Sequence, residues 1–189
     1  MRDSLLEAAE QCIVEDGVEG ASLQSIARRA GVAVGTIYNH FSDGQELFRE
    51  LFMMRKFEVF AALDAALKTA AKSSFEGQLE AFARALLAYY DVRRDFMRVV
   101  FGSDTLRLQM MCDKAGRYRP FLHELQSRAE RVMRAGVRER KLREDEVELG
   151  ASIFTSILRG VVATRLDQRA GLADAAPRVV DVFLNGVSS

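Results

Sequence analysis

The sequence predicts an all-α fold of about nine helices, and three observations predict it. Ala, Leu, Arg and Glu are abundant, while 2 prolines and no tryptophan occur in 189 residues; that mix favours helix over sheet. Apolar residues recur at spacings of three and four, with capping residues and glycines between the runs. No β-alternation of useful length, internal repeat or low-complexity tract appears. Hydrophobic residues make up 49% and charged residues 29%, enough to bury a core, so disorder is excluded on composition.

The elements follow in order. Leu5, Leu6, Ala9, Cys12 and Ile13 recur at helical spacing, with Gly17 as the expected stop. Ser22 is a good N-cap for a short helix over Leu23–Ala30, which Gly31 breaks. A third short helix is expected over about 34–40. Ser42 and Asp43 cap a long fourth helix with Leu47, Leu51, Met54 and Phe57 or Phe60 along one face, running to about 72. Helices over about 75–94 and 96–112 come next, then a break over 114–120 with Gly116 inside it. Pro120 fits the first turn of a helix to about 140. Val147, Phe154 and Val161 form a seven-residue series beside Ala151 and Leu158, a stripe for a partner helix. Gly171 ends that helix. Asp174 is the expected cap of the last one, which carries Val179, Val180, Phe183, Leu184 and Val187 and tolerates Pro177 in its first turn.

Bulk properties exclude several classes. With 27 basic and 27 acidic residues, bulk charge announces neither a nucleic-acid nor a membrane partner. Cys12 and Cys112 read as free thiols of a reducing compartment, a redox role for Cys112 being the alternative. The start, Met-Arg-Asp-Ser, lacks an apolar signal core. The apolar stretch 153–166 is interrupted by Arg159 and Arg165 and is too short to span a bilayer. The expectation is a cytoplasmic, nucleoid-associated protein. The 2 histidines, His40 and His123, sit in no metal-ligand spacing, and no phosphate loop, nucleophile elbow or paired-carboxylate motif occurs. No enzyme activity, cofactor or metal site is expected.

Two short helices around a tight turn containing glycine outline a helix-turn-helix. Ile26 and Ala27 face inward from the first, Val32 plugs the turn, and Ile37 and Phe41 hold the second. Val34, Gly35, Thr36, Asn39 and His40 are left with outward directions.

Residues 2–52 resemble the DNA-binding domain of the TetR family of bacterial transcription regulators. The carriers are Leu5-Leu6-Glu7-Ala8-Ala9, Glu15-Asp16-Gly17, Ile26-Ala27-Arg28-Arg29-Ala30-Gly31-Val32, Gly35-Thr36-Ile37-Tyr38-Asn39-His40-Phe41 and Glu46-Leu47. The resemblance covers roughly a quarter of the chain; the rest is similar in architecture only. It implies a helix-turn-helix DNA-binding domain over 1–46 and a ligand-binding and dimerisation domain over 47–189. It implies that Gln24, Val34, Gly35 and Thr36 face base edges, while Ser22, Tyr38, Asn39 and His40 approach phosphates. These residue types suit the task. Glutamine bonds adenine bidentately, and threonine offers a hydroxyl and a methyl suited to thymine. Glycine admits close backbone approach, and the hydroxyl, imidazole and helix ends serve phosphates. Tyr38 as a half-buried packing residue and His40 as a helix cap stay open as alternatives. Arg28 and Arg29 read as a solvated face.

Gly44 departs from the family, which usually has lysine there on the DNA backbone, and Gln45 replaces a common acid. Residues 1–20 carry one basic residue, Arg2, against six acids; residues 21–44 carry Arg28 and Arg29 against Asp43. Few ionic phosphate contacts and a modest salt dependence are expected. A log–log slope approaching the magnitude of about 10 of a strongly ionic repressor would contradict that.

One helix-turn-helix covers one half-site, so a palindromic operator needs two copies. The resemblance implies a homodimer through the last two long helices, with Val147, Ala151, Phe154, Leu158, Val161, Val180, Phe183 and Leu184 at the interface, ordinary core being the alternative for the stripe on 147–166. Ala151, Ser152, Ser156 and Gly160 permit close helix approach. It also implies a cavity for a small apolar or aromatic effector, lined by Phe60, Phe82, Leu86, Tyr89, Met110, Phe121, Phe154 and Leu158. Tyr89, Arg93, Arg107 and His123 are candidate polar handles. Such side chains are also what any helical core contains. Effector binding would shift the fourth helix and release the operator, provided it prefers one dimer geometry. The expected function is a ligand-responsive dimeric repressor. A transcriptional activator, or a DNA-bound architectural or division-control protein acting through a protein partner, are the alternatives.

Overall fold

The structure, a computed structural model, describes residues 1–102, 119–168 and 170–186. Nine α-helices and no strand occur among the described residues. They form two compact units: Met1–Glu58 with the described residues from Arg94, and Val59–Arg93 with those from Arg119 onward. The chain crosses from one to the other within a continuous helix, so compactness divides it later than the functional boundary expected at residue 46. Arg107, Met110 and Cys112 lie outside the described residues.

In the first unit, α1 (Arg2–Gly20) buries Leu5, Leu6, Ala8, Ala9, Cys12 and Ile13. Gly17 interrupts it with φ +73 and ψ 173 rather than ending it; the positive φ suits glycine. α2 (Leu23–Ala30) starts where Ser22 Oγ accepts from the Ser25 amide at 3.1 Å. It ends on Gly31 at φ +70. The Gly31 amide donates to the Arg28 carbonyl at 3.2 Å and the Val32 amide to that of Ala27 at 3.0 Å. That pair of bonds is a Schellman closure, which needs a left-handed residue.

α3 (Val34–Tyr38) stops two residues short of the expected end. The amides of His40 and Phe41 both donate to the Ile37 carbonyl at 2.9 Å, and this turn carries the Phe41 ring into the core. α4 (Gly44–Thr69) is capped by Asp43, whose Oδ1 accepts from the Glu46 amide at 2.7 Å, while Glu46 Oε2 accepts from the Ser42 amide at 2.5 Å. Hydrogen bonding from Ser42 holds the Glu46 carboxyl below its ordinary pKa. α6 (Arg94–Gly102) packs on α1, burying Phe96, Met97 and Val100. Arg55 of α4 is buried and bonds Glu10 at 2.5 Å and Glu58 at 2.7 Å.

In the second unit, α5 (Phe75–Val92) is capped by Ser74 and buries Phe75, Leu79, Phe82, Ala83, Leu86, Leu87 and Tyr90. α7 (Arg119–Arg138), α8 (Val147–Arg165) and α9 (Ala176–Asn185) complete it. Asp174 lies in a single turn of 3₁₀ helix, Ala173–Ala175, ahead of α9 rather than capping it.

The stripe on α8 is corrected by the packing. Val147, Ala151, Phe154 and Leu158 are sealed against the chain's own α5, α7 and α9, so they are core and not a free interface. Val180 is buried as well, while Val161, Phe183 and Leu184 keep partial exposure. The reason is helical drift. A straight helix gains about 20° per heptad on a seven-residue series, so Val162 replaces Val161 on the inner face. Thr155 joins that face because its hydroxyl donates to the Ala151 carbonyl at 2.9 Å. By length and composition Glu144–Arg165, 22 residues holding an 18-residue window of mean hydropathy 1.3, is apolar enough to cross a membrane. The shorter stretch considered from sequence understated this. Its buried residues here are those of a core helix.

Candidate nucleic-acid interface

The helix-turn-helix is built by burial on one side only. Ile26, Ala27, Ile37, Phe41 and Leu47 are sealed in the first unit, each large one contributing about 1.5–3 kcal/mol of apolar burial. Val32 is half-buried in the turn. The opposite side carries Ser22, Gln24, Gly35, Tyr38, Asn39 and His40, all exposed, with Val34 and Thr36 half-buried between them.

Tyr38 is 57% exposed. The Asn39 and His40 side chains make no hydrogen bond among the described residues; the His40 imidazole lies 6.4 Å from the Phe41 ring. Backbone amides close α3, so His40 is not its side-chain cap. Arg29 is committed elsewhere. Its guanidinium bonds the Glu15 carboxylate, and interactions with Cys12 and then Glu15 raise its pKa further. Arg28 is exposed.

Gly35 is the informative residue. Its φ is not positive, and a Cβ there would meet nothing within 4 Å. Neither backbone conformation nor internal space asks for glycine, and glycine inside a helix costs about 0.5–1 kcal/mol relative to alanine. Gly44 resembles it: a Cβ would find only ordinary contact with Leu23 at 3.6 Å.

Of the eight apolar residues expected to line an effector cavity, Phe82, Leu86, Phe154 and Leu158 are fully buried. The Phe82 and Phe154 ring centroids lie 5.7 Å apart, and those of Phe154 and Phe183 lie 5.1 Å apart. Phe60 is buried and stacks on Phe121 at 5.1 Å; Tyr89 and Phe121 keep partial exposure. Among the handles, Arg93 lies 5.8 Å over the Tyr89 ring. His123 lines a polar cavity instead.

Sequence reading named Ser152, Ser156 and Gly160 for close helix approach but missed Leu149, 64% exposed, and Ile153, 45% exposed, on the same outward face of α8. Ser152, Ser156 and Gly160 lie exposed along the same helix. The series 149, 153, 156, 160, at spacings of four and three, was the signal available.

A one-sided helix-turn-helix with an uncharged outer row, among described residues that form helices and no strand, points to a class of protein. Residues 5–51 match the model of the family described as "Bacterial regulatory proteins, tetR family". The match is confined to this N-terminal stretch, which is similar to that family's. It is 40% identical over 50 residues to the HTH-type transcriptional repressor AcnR of Corynebacterium diphtheriae, covering 26% of each chain. It is 28% identical over 103 residues to the HTH-type transcriptional activator FasR of Mycolicibacterium smegmatis, covering 54% of this chain and 46% of that one. The matches thus span about a quarter to a half of these relatives. The fold is similar to that of the transcriptional regulator FadR from Bacillus subtilis in complex with stearoyl-CoA. The TM-score is 0.79 and the identity 17%, covering 100% of both chains.

Proposed function

We infer that this protein is a dimeric, ligand-responsive transcriptional repressor that reads a palindromic operator through α2 and α3. The observation that carries the reading is Gly35, a helical glycine with no internal reason on an outward, uncharged face. Close approach of a DNA edge supplies the reason. Gln24, Val34 and Thr36 flank it as base readers, with Ser22, Tyr38, Asn39 and His40 toward phosphates. Such a partner places the protein in the cytoplasm with the nucleoid.

Selection from a random duplex pool tests this. An enriched palindrome is expected, and Gly35→Leu should abolish its binding while leaving the melting temperature unchanged. No enriched sequence, or full binding by Gly35→Leu, sinks the reading.

The second copy docks on the outward face of α8. Gly160 repeats the argument of Gly35: it is exposed, helical and without neighbours within 4 Å of a Cβ. Ile153→Asp should convert a dimer to a monomer in light scattering. The effector is apolar or aromatic and enters beside Tyr89 and Phe121, the members of the apolar set that retain open surface. FadR from Bacillus subtilis, a similar fold, has been solved in complex with stearoyl-CoA. Activation is the second reading, because the activator FasR matches beyond the helix-turn-helix, over 103 residues. Reporter expression with and without the protein separates the two.

A further inference from the structure

In the second unit a cavity of about 700 Å³ opens along α4 and α7, apart from the apolar set. Asp64 and Lys68 line it from α4, and Glu124, Arg128, Arg131 and Arg138 from α7. On each helix these positions share a face. Gln78 and His123 add further polar surface.

One wall is fixed. Arg128 Nε and Nη2 donate to the two Asp64 carboxylate oxygens at 3.1 and 2.7 Å, and Nη1 donates to the Glu124 carbonyl at 3.2 Å. Its guanidinium lies 4.2 Å over the Phe60 ring. Arg131 Nη2 donates to the same Asp64 carboxylate at 2.9 Å. A single carboxylate therefore serves two guanidinium groups, and Arg128 above all holds it below its ordinary pKa. Glu124 is 3.5 Å from Arg128.

Lys68 and Arg138 are exposed and make no ion pair or hydrogen bond among the described residues. Four cations thus face two carboxylates, on a chain whose basic and acidic residues balance at 27 each. The excess is local to this groove. Arg131 and Arg138 are separated by about 10 Å of helix rise, which suits two charged groups better than one.

We propose that this groove binds a small, multiply charged anion of the phosphorylated or polycarboxylate class. Lys68 and Arg138 supply the unspent charge, and the Asp64-tethered pair Arg128 and Arg131 forms a wall that loses little freedom on binding. The site is independent of operator reading.

Isothermal titration of the full chain with sodium pyrophosphate, and separately with citrate, at low ionic strength decides it. Saturable 1:1 binding of at least one anion is expected. Pyrophosphate alone assigns a phosphorylated ligand, citrate alone a polycarboxylate. K68A/R138A should weaken binding tenfold or more at an unchanged melting temperature. Should that midpoint fall, the single variants Lys68→Gln and Arg138→Gln should each weaken it about threefold. Arg134→Ala, an α7 arginine outside the groove that pairs with Glu130 at 3.6 Å, should bind as the parent does. The proposal is overturned if neither anion binds, if K68A/R138A binds fully, or if Arg134→Ala loses as much. Loss of random-sequence duplex binding in K68A/R138A, with neither small anion bound, would assign the surface to nucleic acid and overturn it as well.

Discussion

In the first unit the residues left facing outward without an internal task lie almost in a row, within 34–40 plus Gln24, with Ser22, the cap of α2, exposed beside them. In the second unit the comparable features are assembled across helices. The groove takes Lys68 from α4 and Arg138 from α7, and the free face of α8 is interleaved with its buried one. The difference is between a surface built within two turns of chain and surfaces built by packing. A local motif fixes the first; the second exists only once helices distant in sequence have met.

The largest expected effects test whether the units share this logic at their cores. Phe41→Ala and Phe154→Ala each remove a fully buried ring, and each should lower stability by about 3–5 kcal/mol in denaturant titration. Phe41→Ala should also abolish operator binding. Phe154→Ala, folded at low temperature, should retain it. If both variants lose binding equally while folded, the comparison between a local and an assembled surface breaks.

Legibility in the sequence follows the same line. Ser22 and Gly31 were readable because capping and a left-handed turn depend on neighbours within five residues, and Ile37 and Phe41 because their helical spacing turns them inward. The nine helices were readable from apolar spacing. What failed was direction on α8. Val147, Ala151, Phe154 and Leu158 form the stronger apolar series, and strength of pattern reports burial rather than its source. The chain's own α5, α7 and α9 claim that face, and the weaker series through Leu149 and Ile153 is left outside. The ends of α3 and α4 were also missed. Both depend on where the next residue must go, Phe41 into the core and Phe75 onto the Glu139 carboxylate, which accepts its amide at 2.7 Å.

Gly31→Ala is a smaller perturbation that sharpens the local side. At φ +70 a Cβ has room but not the backbone conformation, so a loss of about 1–2 kcal/mol is expected. Asp64→Asn does the same for the assembled side. Hydrogen bonds from Arg128 and Arg131 depress the Asp64 pKa. Its contribution is therefore present above the unfolded carboxyl value of about 3.9 and lost as pH falls through the folded one. Stability curves of parent and Asp64→Asn should separate at pH 6 and converge as pH drops below about 4. Curves that stay parallel would mean the carboxylate does not order the groove wall.

The smallest change bears on the outer row itself. Gly44 begins α4, and a Cβ there would make only ordinary contact with Leu23. Gly44→Lys adds one cation beside the helix-turn-helix without disturbing its core. If the parent reads DNA through close approach and neutral donors, one new phosphate contact should tighten operator binding a few-fold. It should also steepen the log–log salt dependence by about 0.9. Sequence preference should not move, because a phosphate contact carries no base information. A parent slope already near 10 in magnitude, unchanged by Gly44→Lys, would mean that charge elsewhere holds the DNA. The uncharged row would then have to be given another role.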